Sequence, residues 1–240
     1  MLRVKSKHRL LCGDSTDKAD VDKLMDGSKA DMVFTDPPYG MNLDADFSKM
    51  RGSQTDFAKS KGLKDSSGYK NVIGDNKEYN PKHIFDTFTC PLFLWGADYY
   101  SERLDNKNGG SWIVWDKREN ADGTNLDGCF GSCFELCWSS EKHRREIARI
   151  KWTGVFGTEK EHDKKRCHPT QKPTALAEWF FDKWGKDKNL IVDLFLGSGS
   201  TLIACEKTNR QCYGMEIDPH YCSIIIKRWQ DYTGKEAHKC

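Results

Sequence analysis

The sequence predicts an α/β protein built on a mostly parallel sheet, and three observations carry that prediction. Short apolar runs alternate with amphipathic stretches along the 240 residues, the pattern of strands joined by crossover helices. Pro81, Pro173 and Pro219 each stand where a helix would begin, which suits a residue with no N–H to donate. One apolar run, Ile191-Val-Asp-Leu-Phe-Leu-Gly-Ser-Gly-Ser-Thr201, leads through a glycine-rich turn into the helix-like Leu202-Ile-Ala-Cys-Glu206.

In chain order, strands are expected at 9–12 (Arg-Leu-Leu-Cys), 31–35 (Asp-Met-Val-Phe-Thr), 91–95, 111–115, 133–138, 147–152, 189–193 and 211–215. Helices are expected at 17–26, 81–89, 97–104, 173–184, 200–207 and 219–232. The segment Gly131-Ser-Cys-Phe-Glu-Leu-Cys-Trp138 alternates as a strand does, although Cys129, Cys133 and Cys137 recur every four residues. Residues 41–80 break the pattern, being polar, rich in Gly, Ser, Asp and Lys, and without periodicity. A gap of that length within a compact domain reads as a functional or mobile loop. Residues 153–172 form a shorter basic connection. Neither resembles a linker, so a single domain over 1–240 with two decorated loops is expected.

Composition excludes several classes. Aromatic residues make up 12% and hydrophobic residues 37% of the chain, enough for a core rather than a disordered segment. No run approaches the roughly 20 apolar residues of a membrane helix. The start, Met1-Leu-Arg-Val-Lys-Ser-Lys-His8, lacks a secretory signal, so a cytoplasmic location is expected. Ten cysteines without any C-x-x-C pair read as buried, structural free thiols rather than disulfides or a zinc site. The net charge of +2, from 38 basic and 36 acidic residues, neither demands nor forbids a nucleic-acid partner. Two basic clusters, Lys142-His-Arg-Arg145 and Lys160 through Arg166, are candidate phosphate contacts or solvated faces.

Three motifs carry chemistry. In Thr35-Asp36-Pro37-Pro38-Tyr39, two successive prolines hold the backbone extended and present carbonyl oxygens in a fixed direction. At a strand's carboxyl end this gathers a carboxylate, a carbonyl and an aromatic face around one crevice; a plain strand-ending turn would read the same. The glycine-rich turn lets a ligand approach the backbone, and the following helix start offers free N–H groups. It matches neither the triphosphate-binding nor the dinucleotide-binding pattern. Glu216 in Tyr213-Gly-Met-Glu-Ile-Asp-Pro219 ends the next strand, where an acid accepts from ribose hydroxyls, so turn, helix and acid together point to a nucleoside. His168-Pro-Thr-Gln-Lys-Pro173, on its own, is only a turn with a proline helix start.

Together, and in this order, Asp-Pro-Pro-Tyr, His-Pro-Thr-Gln-Lys-Pro and Asp-x-Phe-x-Gly-Ser-Gly-Ser resemble the β-class of DNA amino-methyltransferases. The resemblance runs from Gly13-Asp14 to about Tyr232. In many other methyltransferases, among them ribosomal RNA and protein-glutamine enzymes, the glycine-rich motif comes first. Here it comes last, as in a circular permutation of the same sheet.

The resemblance implies the S-adenosylmethionine-dependent methyltransferase fold: a seven-stranded, mostly parallel sheet with one antiparallel strand, helices on both faces and circularly permuted motif order. It assigns Asp193, Phe195, Gly197, Ser198, Gly199, Ser200 and Thr201 to the methionine part of S-adenosylmethionine, with Lys172 and Thr174 reaching the same end. Glu216 would hold the ribose and Ile217 the adenine ring. Asp14 would face the adenine amino group, or alternatively cap the helix at 17–26. Asp36, Pro37, Pro38 and Tyr39 form the catalytic segment: Asp36 and the Pro37 carbonyl accept the N–H bonds of an exocyclic amine, and Tyr39 stacks on the flipped base. Asp36 is also expected to touch the cofactor. No metal is called for.

Asp at the first motif position favours adenine N6 as the target, with cytosine N4 as the alternative. An RNA or protein amino-methyltransferase, or a non-catalytic binding protein, are further alternatives. Double-stranded DNA is the implied partner, with Lys164, Lys165 and Arg166 as candidate phosphate contacts. A homodimer and a cognate restriction enzyme are candidate partners, in a bacterial or phage-infected cell. Only about 153–167 is left for a recognition region, which makes 41–75 the alternative reader of the site; Gly62 through Lys70 reads either as a loop closing over DNA or as an insertion. Trp115-Asp116-Lys117 lies next to the target pocket without an assigned role, and Trp138 and Trp152 are expected in the core.

Overall fold

The computed structural model describes the backbone of residues 2–4 and all of residues 8–42, 71–118, 132–152 and 167–239. Its strands are β1 (Leu2–Val4), β2 (Arg9–Cys12), β3 (Met32–Thr35), β4 (Leu92–Trp95), β5 (Ser111–Asp116), β6 (Phe134–Ser139), β7 (Ile147–Arg149), β8 (Leu190–Asp193), β9 (Gln211–Glu216) and β10 (Ala237–Lys239). The helices are α1 (Lys18–Met25), α2 (Lys82–Thr87), α3 (Thr174–Trp184), α4 (Ser200–Lys207) and α5 (Pro219–Thr233).

All ten strands join one sheet in the order β10-β1-β2-β9-β8-β3-β4-β6-β5-β7. From β2 to β4 every neighbour is parallel. β6 runs against both β4 and β5, and β7 is parallel to β5. The eight strands expected from the sequence are all present. Among the described residues the sheet has ten strands where seven were expected, because β7 joins the far edge and β1 and β10 extend the near one. β1 is a second antiparallel strand, pairing with β2 on one side and β10 on the other.

The central strands are short, wholly buried apolar runs such as Met-Val-Phe-Thr and Leu-Phe-Leu-Trp, as strands covered on both faces require. Their side chains alternate between two cores. Met32, Phe34, Phe93, Trp95 and Ile191 pack with residues of α3, α4 and α5. Val33, Leu92, Leu94, Val192 and Met215 pack with residues of α1 and α2. Helices therefore cover both faces. Phe180 of α3 is the hub of the first core: Phe34, Phe93, Trp95 and Trp184 surround it with ring centroids 5.1–5.4 Å away, none of them stacked flat. Trp138 and Trp152 are buried, as expected.

Register at the centre is pinned by Asp31, whose Oδ2 accepts from the Asn189 and Leu190 amides. α1 begins at Asp17, whose side chain accepts from the Ala19 amide at 2.8 Å; this corrects the alternative that Asp14 caps it. Asp218 caps α5 in the same way, with Pro219 in the first turn.

Two further expectations are corrected. Residues 97–104 form no α-helix: a turn closes from the Tyr99 amide to the Gly96 carbonyl, and one 3₁₀ turn follows at Ser101–Arg103. Gly96 sits at φ +63°, where a Cβ would lie 2.2 Å from the Tyr39 ring, so the backbone bends to admit that ring instead of coiling. The reading of the cysteines as buried thiols holds for Cys137, Cys205, Cys212 and Cys222 but not for Cys12 and Cys133, which are exposed and free at strand ends. Among the described residues no helix is long and apolar enough to cross a membrane.

Candidate active site

Parallel strands deliver their carboxyl ends to one edge of the sheet, and nearly every residue singled out from the sequence lies there. β3 ends in Thr35 and runs into Asp36-Pro-Pro-Tyr39, β8 ends in Asp193, β9 in Glu216, and β2 in Cys12, just before Gly13-Asp14. Because β6 is antiparallel, its first residues, Phe134 and Glu135, reach the same edge.

The floor is built from β3 and β8. Thr35 Oγ1 donates to Asp193 Oδ1 at 2.7 Å, and the Phe195 amide donates to the same oxygen at 3.1 Å. Burial pushes Asp193 up to about 6 against the pull of the Thr201 and Thr35 hydroxyls and the Phe195 amide. Beyond it the chain turns through Gly197 (φ +53°) and Gly199 (φ +82°) into α4, which carries no side-chain cap. Side chains other than glycine are strained in that left-handed region, so the turn leaves the first amides of α4 open toward a ligand.

Glu216 holds this turn in place. Its Oε2 accepts from the Gly197 amide at 2.8 Å and its Oε1 from the Asp218 amide at 2.9 Å. Burial raises its pKa against those two bonds. An ionised carboxylate offers about four acceptor positions, so capacity for hydroxyl donors remains. Next to it, Ile217 is 42% exposed, an apolar surface suited to a flat ring. Asp14 is exposed and accepts from the Thr16 amide and hydroxyl.

Four of the predicted cofactor residues bond within the protein instead, Thr201 among them through its hydroxyl on Asp193. Ser198 and Ser200 hydroxyls lie 3.2 Å apart and both accept from Arg228; Ser200 Oγ donates to the Lys172 carbonyl at 2.6 Å. Thr174 Oγ1 accepts from Lys207 between α3 and α4. Their part is to shape the turn, and Arg228, which sequence reasoning missed, is its brace: it also donates to the Ser198 carbonyl at 3.0 Å.

Phe195 packs edge-on against Tyr79 and, farther off, His83, with centroids at 5.7 and 6.5 Å. Tyr79 Oη and His83 Nε2 are buried without a hydrogen-bond partner among the described residues. Buried polar atoms of this kind are uncommon, and here two of them stand beside the glycine-rich turn. With the open amides, the Glu216 carboxylate and exposed Ile217, they fit a nucleoside carrying a polar arm.

At the neighbouring strand end, Asp36 and Lys172 form an ion pair. Tyr39 Oη donates to the other Asp36 oxygen at 3.2 Å. No hydrogen bond to the Pro37 carbonyl is present among the described residues. The Tyr39 ring, seated on Gly96, stacks on Tyr99 at 5.0 Å and 11°. Burial raises the Asp36 pKa, with Glu135 adding to it and Lys172 opposing. Burial works against Lys172, yet Asp36 and Glu135 together hold its pKa above the ordinary value. Glu135 also pairs with Lys117 at 2.7 Å; burial opposes its ionisation, but Lys172 and Lys117 hold it at about 2. This supplies a partner for the Trp115-Asp116-Lys117 segment. Glu135 was missed, although alternation in Glu-Leu-Cys puts it on the same face as buried Cys137.

Lys164, Lys165 and Arg166, the loop from Gly62 to Lys70, and the stretch from Lys160 all lie outside the described residues. The run Lys142-His-Arg-Arg145 follows the end of β6 and precedes β7, at the edge opposite Asp36. His143 is stacked on Phe93 and bonded to Ser139. Among the described residues no group of three or more His, Cys, Asp or Glu is placed to hold a metal ion.

Comparison with known proteins agrees with this geometry. The type II methyltransferase M.HinfI of Haemophilus influenzae is 22% identical over 266 aligned residues, which take in 92% of this chain and 68% of that protein. M1.HpyAVI, in a crystal structure with SAM, superposes with a TM-score of 0.51 at 20% identity, covering 92% of this chain and 98% of its own. TTHA0409 of Thermus thermophilus, complexed with S-adenosyl-L-methionine, gives 0.51 at 15% identity over 93% of each chain. Such distant likenesses show the fold. The family model described as DNA methylase matches residues 60–227, a span that begins after Asp36-Pro-Pro-Tyr39 and contains both later motifs. The chain belongs to the DNA methylase family of N6 and N4 amino-methyltransferases.

Proposed function

We propose that the protein transfers a methyl group from S-adenosylmethionine to adenine N6 in DNA. The observation that carries this reading is the adjacency, on one sheet edge, of the nucleoside-shaped crevice at Glu216–Ile217 and the Asp36-Pro37-Pro38-Tyr39 segment. S-adenosylmethionine, when bound, supplies a methyl group activated on a sulfonium sulfur.

The chain's own residues do the rest. Glu216 receives the ribose, Ile217 carries the adenine ring, and Phe195 and the open amides at the start of α4 surround the methionine arm. An aromatic amine is a poor nucleophile because its lone pair is delocalised into the ring. Asp36 and the Pro37 carbonyl accept its two N–H bonds and favour a pyramidal nitrogen whose lone pair faces the methyl group. As the new N–C bond forms and the S–C bond breaks, positive charge grows on nitrogen, and these acceptors stabilise it. The methylated nitrogen, now cationic and strongly acidic, passes one proton to the Asp36 carboxylate that accepts its N–H bond, and from there to solvent. Because the proton is acidic only after the N–C bond forms, positioning matters more than base strength.

The base must leave the duplex to reach Asp36, at a cost of a few kcal/mol. Stacking on the Tyr39–Tyr99 pair offsets about 1–3 kcal/mol of that. Asp at position 36 favours adenine; cytosine N4 is the other reading. The Pro-Pro turn precedes the glycine-rich turn in the chain, which we read as a circular permutation within a single domain over 1–240. Double-stranded DNA is the proposed partner, read by residues from 41–75 and 153–167, in the cytoplasm.

The test is transfer of radiolabel from S-adenosylmethionine to mixed-sequence duplex DNA, followed by nucleoside separation, with Asp36→Ala alongside. Label in N6-methyladenine that falls at least about a hundredfold in the variant is the expected result. Label in N4-methylcytosine would overturn the choice of base. No label in DNA from a protein that binds S-adenosylmethionine would overturn the reaction.

A further inference from the structure

We propose that Glu135 is a positioning residue, which draws the Lys172 ammonium off Asp36 when the target amine enters. The inference rests on the methyl-transfer reading above. As the structure stands, both Asp36 oxygens are engaged: Oδ2 by Lys172 and Oδ1 by the Tyr39 hydroxyl. With Lys172 there, a fixed positive charge also stands beside the place where positive charge must grow on the amine nitrogen, and like charges at that separation repel.

Glu135 is built to relieve this. Its Oε2 lies 3.2 Å from Lys172 Nζ, so the ammonium is already shared between the two carboxylates, with Asp36 the nearer. Its Oε1 is fixed by Lys117 at 2.7 Å. The three side chains are 12%, 21% and 27% exposed for Lys172, Asp36 and Glu135, so water is a poor substitute partner for the ammonium. Two carboxylates and two ammonium groups make the cluster neutral. Moving Lys172 from one carboxylate to the other leaves that neutrality unchanged and strands no buried charge.

The backbone of Lys172 is held by the Ser200 hydroxyl on its carbonyl and by Pro173 after it. The transfer is therefore a side-chain rotation over the Trp95 ring, above which Nζ lies at 5.4 Å from the centroid. Asp36 Oδ2 is then left open for the amine, while Oδ1 keeps the Tyr39 hydroxyl.

The groups that face Asp36 from the surrounding elements are Lys172, Tyr39, Glu135, Asp193, Tyr100 and Cys137. Burial keeps Tyr39, Tyr100 and Cys137 protonated well above their usual ranges, and Asp193, at about 6, is already ionised at neutral pH. Removing Glu135 takes away one of the two carboxylates that hold the Lys172 pKa up, so its proton comes off at a lower pH than in the unmodified protein.

The experiment is single-turnover methyl transfer to duplex DNA by Glu135→Gln and Glu135→Asp, with S-adenosylmethionine binding measured by calorimetry. Glu135→Gln should bind S-adenosylmethionine as the unmodified protein does and transfer methyl at least about tenfold more slowly at about pH 7.5. Its rate should recover as the pH is raised, because Lys172 sheds its proton at a lower pH than in the unmodified protein and releases Asp36, while the unmodified rate stays level. Glu135→Asp, which keeps the charge, should regain most of the rate and serves as the reading if the glutamine variant does not fold. An unchanged rate in Glu135→Gln, an equal loss at every pH, or an aspartate variant as slow as the glutamine one would overturn the proposal. Failure of the unmodified protein to methylate DNA would instead sink the reading beneath it.

Discussion

Replacing Asp193 by asparagine should make the protein more stable at neutral pH, against the usual result of altering a buried polar residue. Asp193 is buried at the end of β8, and its pKa rises from 3.8 to about 6 because burial disfavours the charged form. That rise corresponds to about 3 kcal/mol between the two protonation states. Because the folded value exceeds the unfolded one, the contribution is intact below about pH 3.8 and is lost as pH rises through about 6. Asparagine cannot ionise, and its Oδ1 can still accept from the Thr35 hydroxyl and the Phe195 amide, both of which bond a single oxygen, while the Thr201 hydroxyl, which also donates to Asp193, must turn to accept from the new amide.

Allowing about 1 kcal/mol for a weaker neutral acceptor, Asp193→Asn should gain about 2 kcal/mol at about pH 7.5. In a chain of this size that is a rise in Tm of about 4–8 °C. At about pH 4 the gain should vanish or turn into a small loss. Thermal unfolding of both proteins at the two pH values is the assay, and taking the difference between them cancels every other titrating group. A variant less stable than the unmodified protein at the higher pH, or an equal gap at both pH values, would refute the reasoning. The same variant should bind S-adenosylmethionine more weakly, since the crevice loses a negative charge.

Tyr99 is 55% exposed and stacked on Tyr39, so Tyr99→Ala should raise the KM for DNA by about five- to twentyfold, the equivalent of about 1–2 kcal/mol of stacking; steady-state kinetics with duplex DNA would reveal it, and calorimetry should find cofactor binding unaltered. Arg228→Met removes the donor to the Ser198 carbonyl and to both serine hydroxyls, leaving a buried carbonyl unpaired. Its expected cost is about 2–3 kcal/mol, read as a lower urea midpoint, together with weaker S-adenosylmethionine binding.

The parts of the fold that were legible in the sequence are those where local pattern and tertiary burial agree. Met-Val-Phe-Thr and Leu-Ile-Val-Asp read as strands because both faces of the sheet are covered, so no alternation is needed. Residues 97–104 misled because their apolar spacing, Ala97, Tyr100 and Leu104, is compatible with a helix, whereas those same residues are buried through a turn that bends around the Tyr39 ring. β1 and β10 were not anticipated: each is three residues long, too short to show a period. In the site, Asp36, Asp193 and Glu216 were legible as neighbours because each stands at or just past a strand end, and parallel strands bring those ends to one edge. Glu135 and Arg228 were not, since their importance lies in partners far away in sequence, Lys172 and Ser198 among them. Ser198, Ser200 and Thr174 were placed in the right neighbourhood, but their hydroxyls point into the protein, a detail that motif matching does not carry.

The hydrogen bond from Ser200 to the Lys172 carbonyl ties the crevice for the nucleoside to the crevice for the base. A ligand that orders the glycine-rich turn orders the root of Lys172 as well, so the two crevices share one free-energy account rather than two. Thermodynamic reciprocity then sets a condition on the pair: whatever factor the methyl donor adds to the grip on the flipped base, the flipped base must add to the grip on the donor. On the methyl-transfer reading, the demethylated donor lacks the sulfonium charge but fills the same turn, so its release would be coupled to return of the base to its helix.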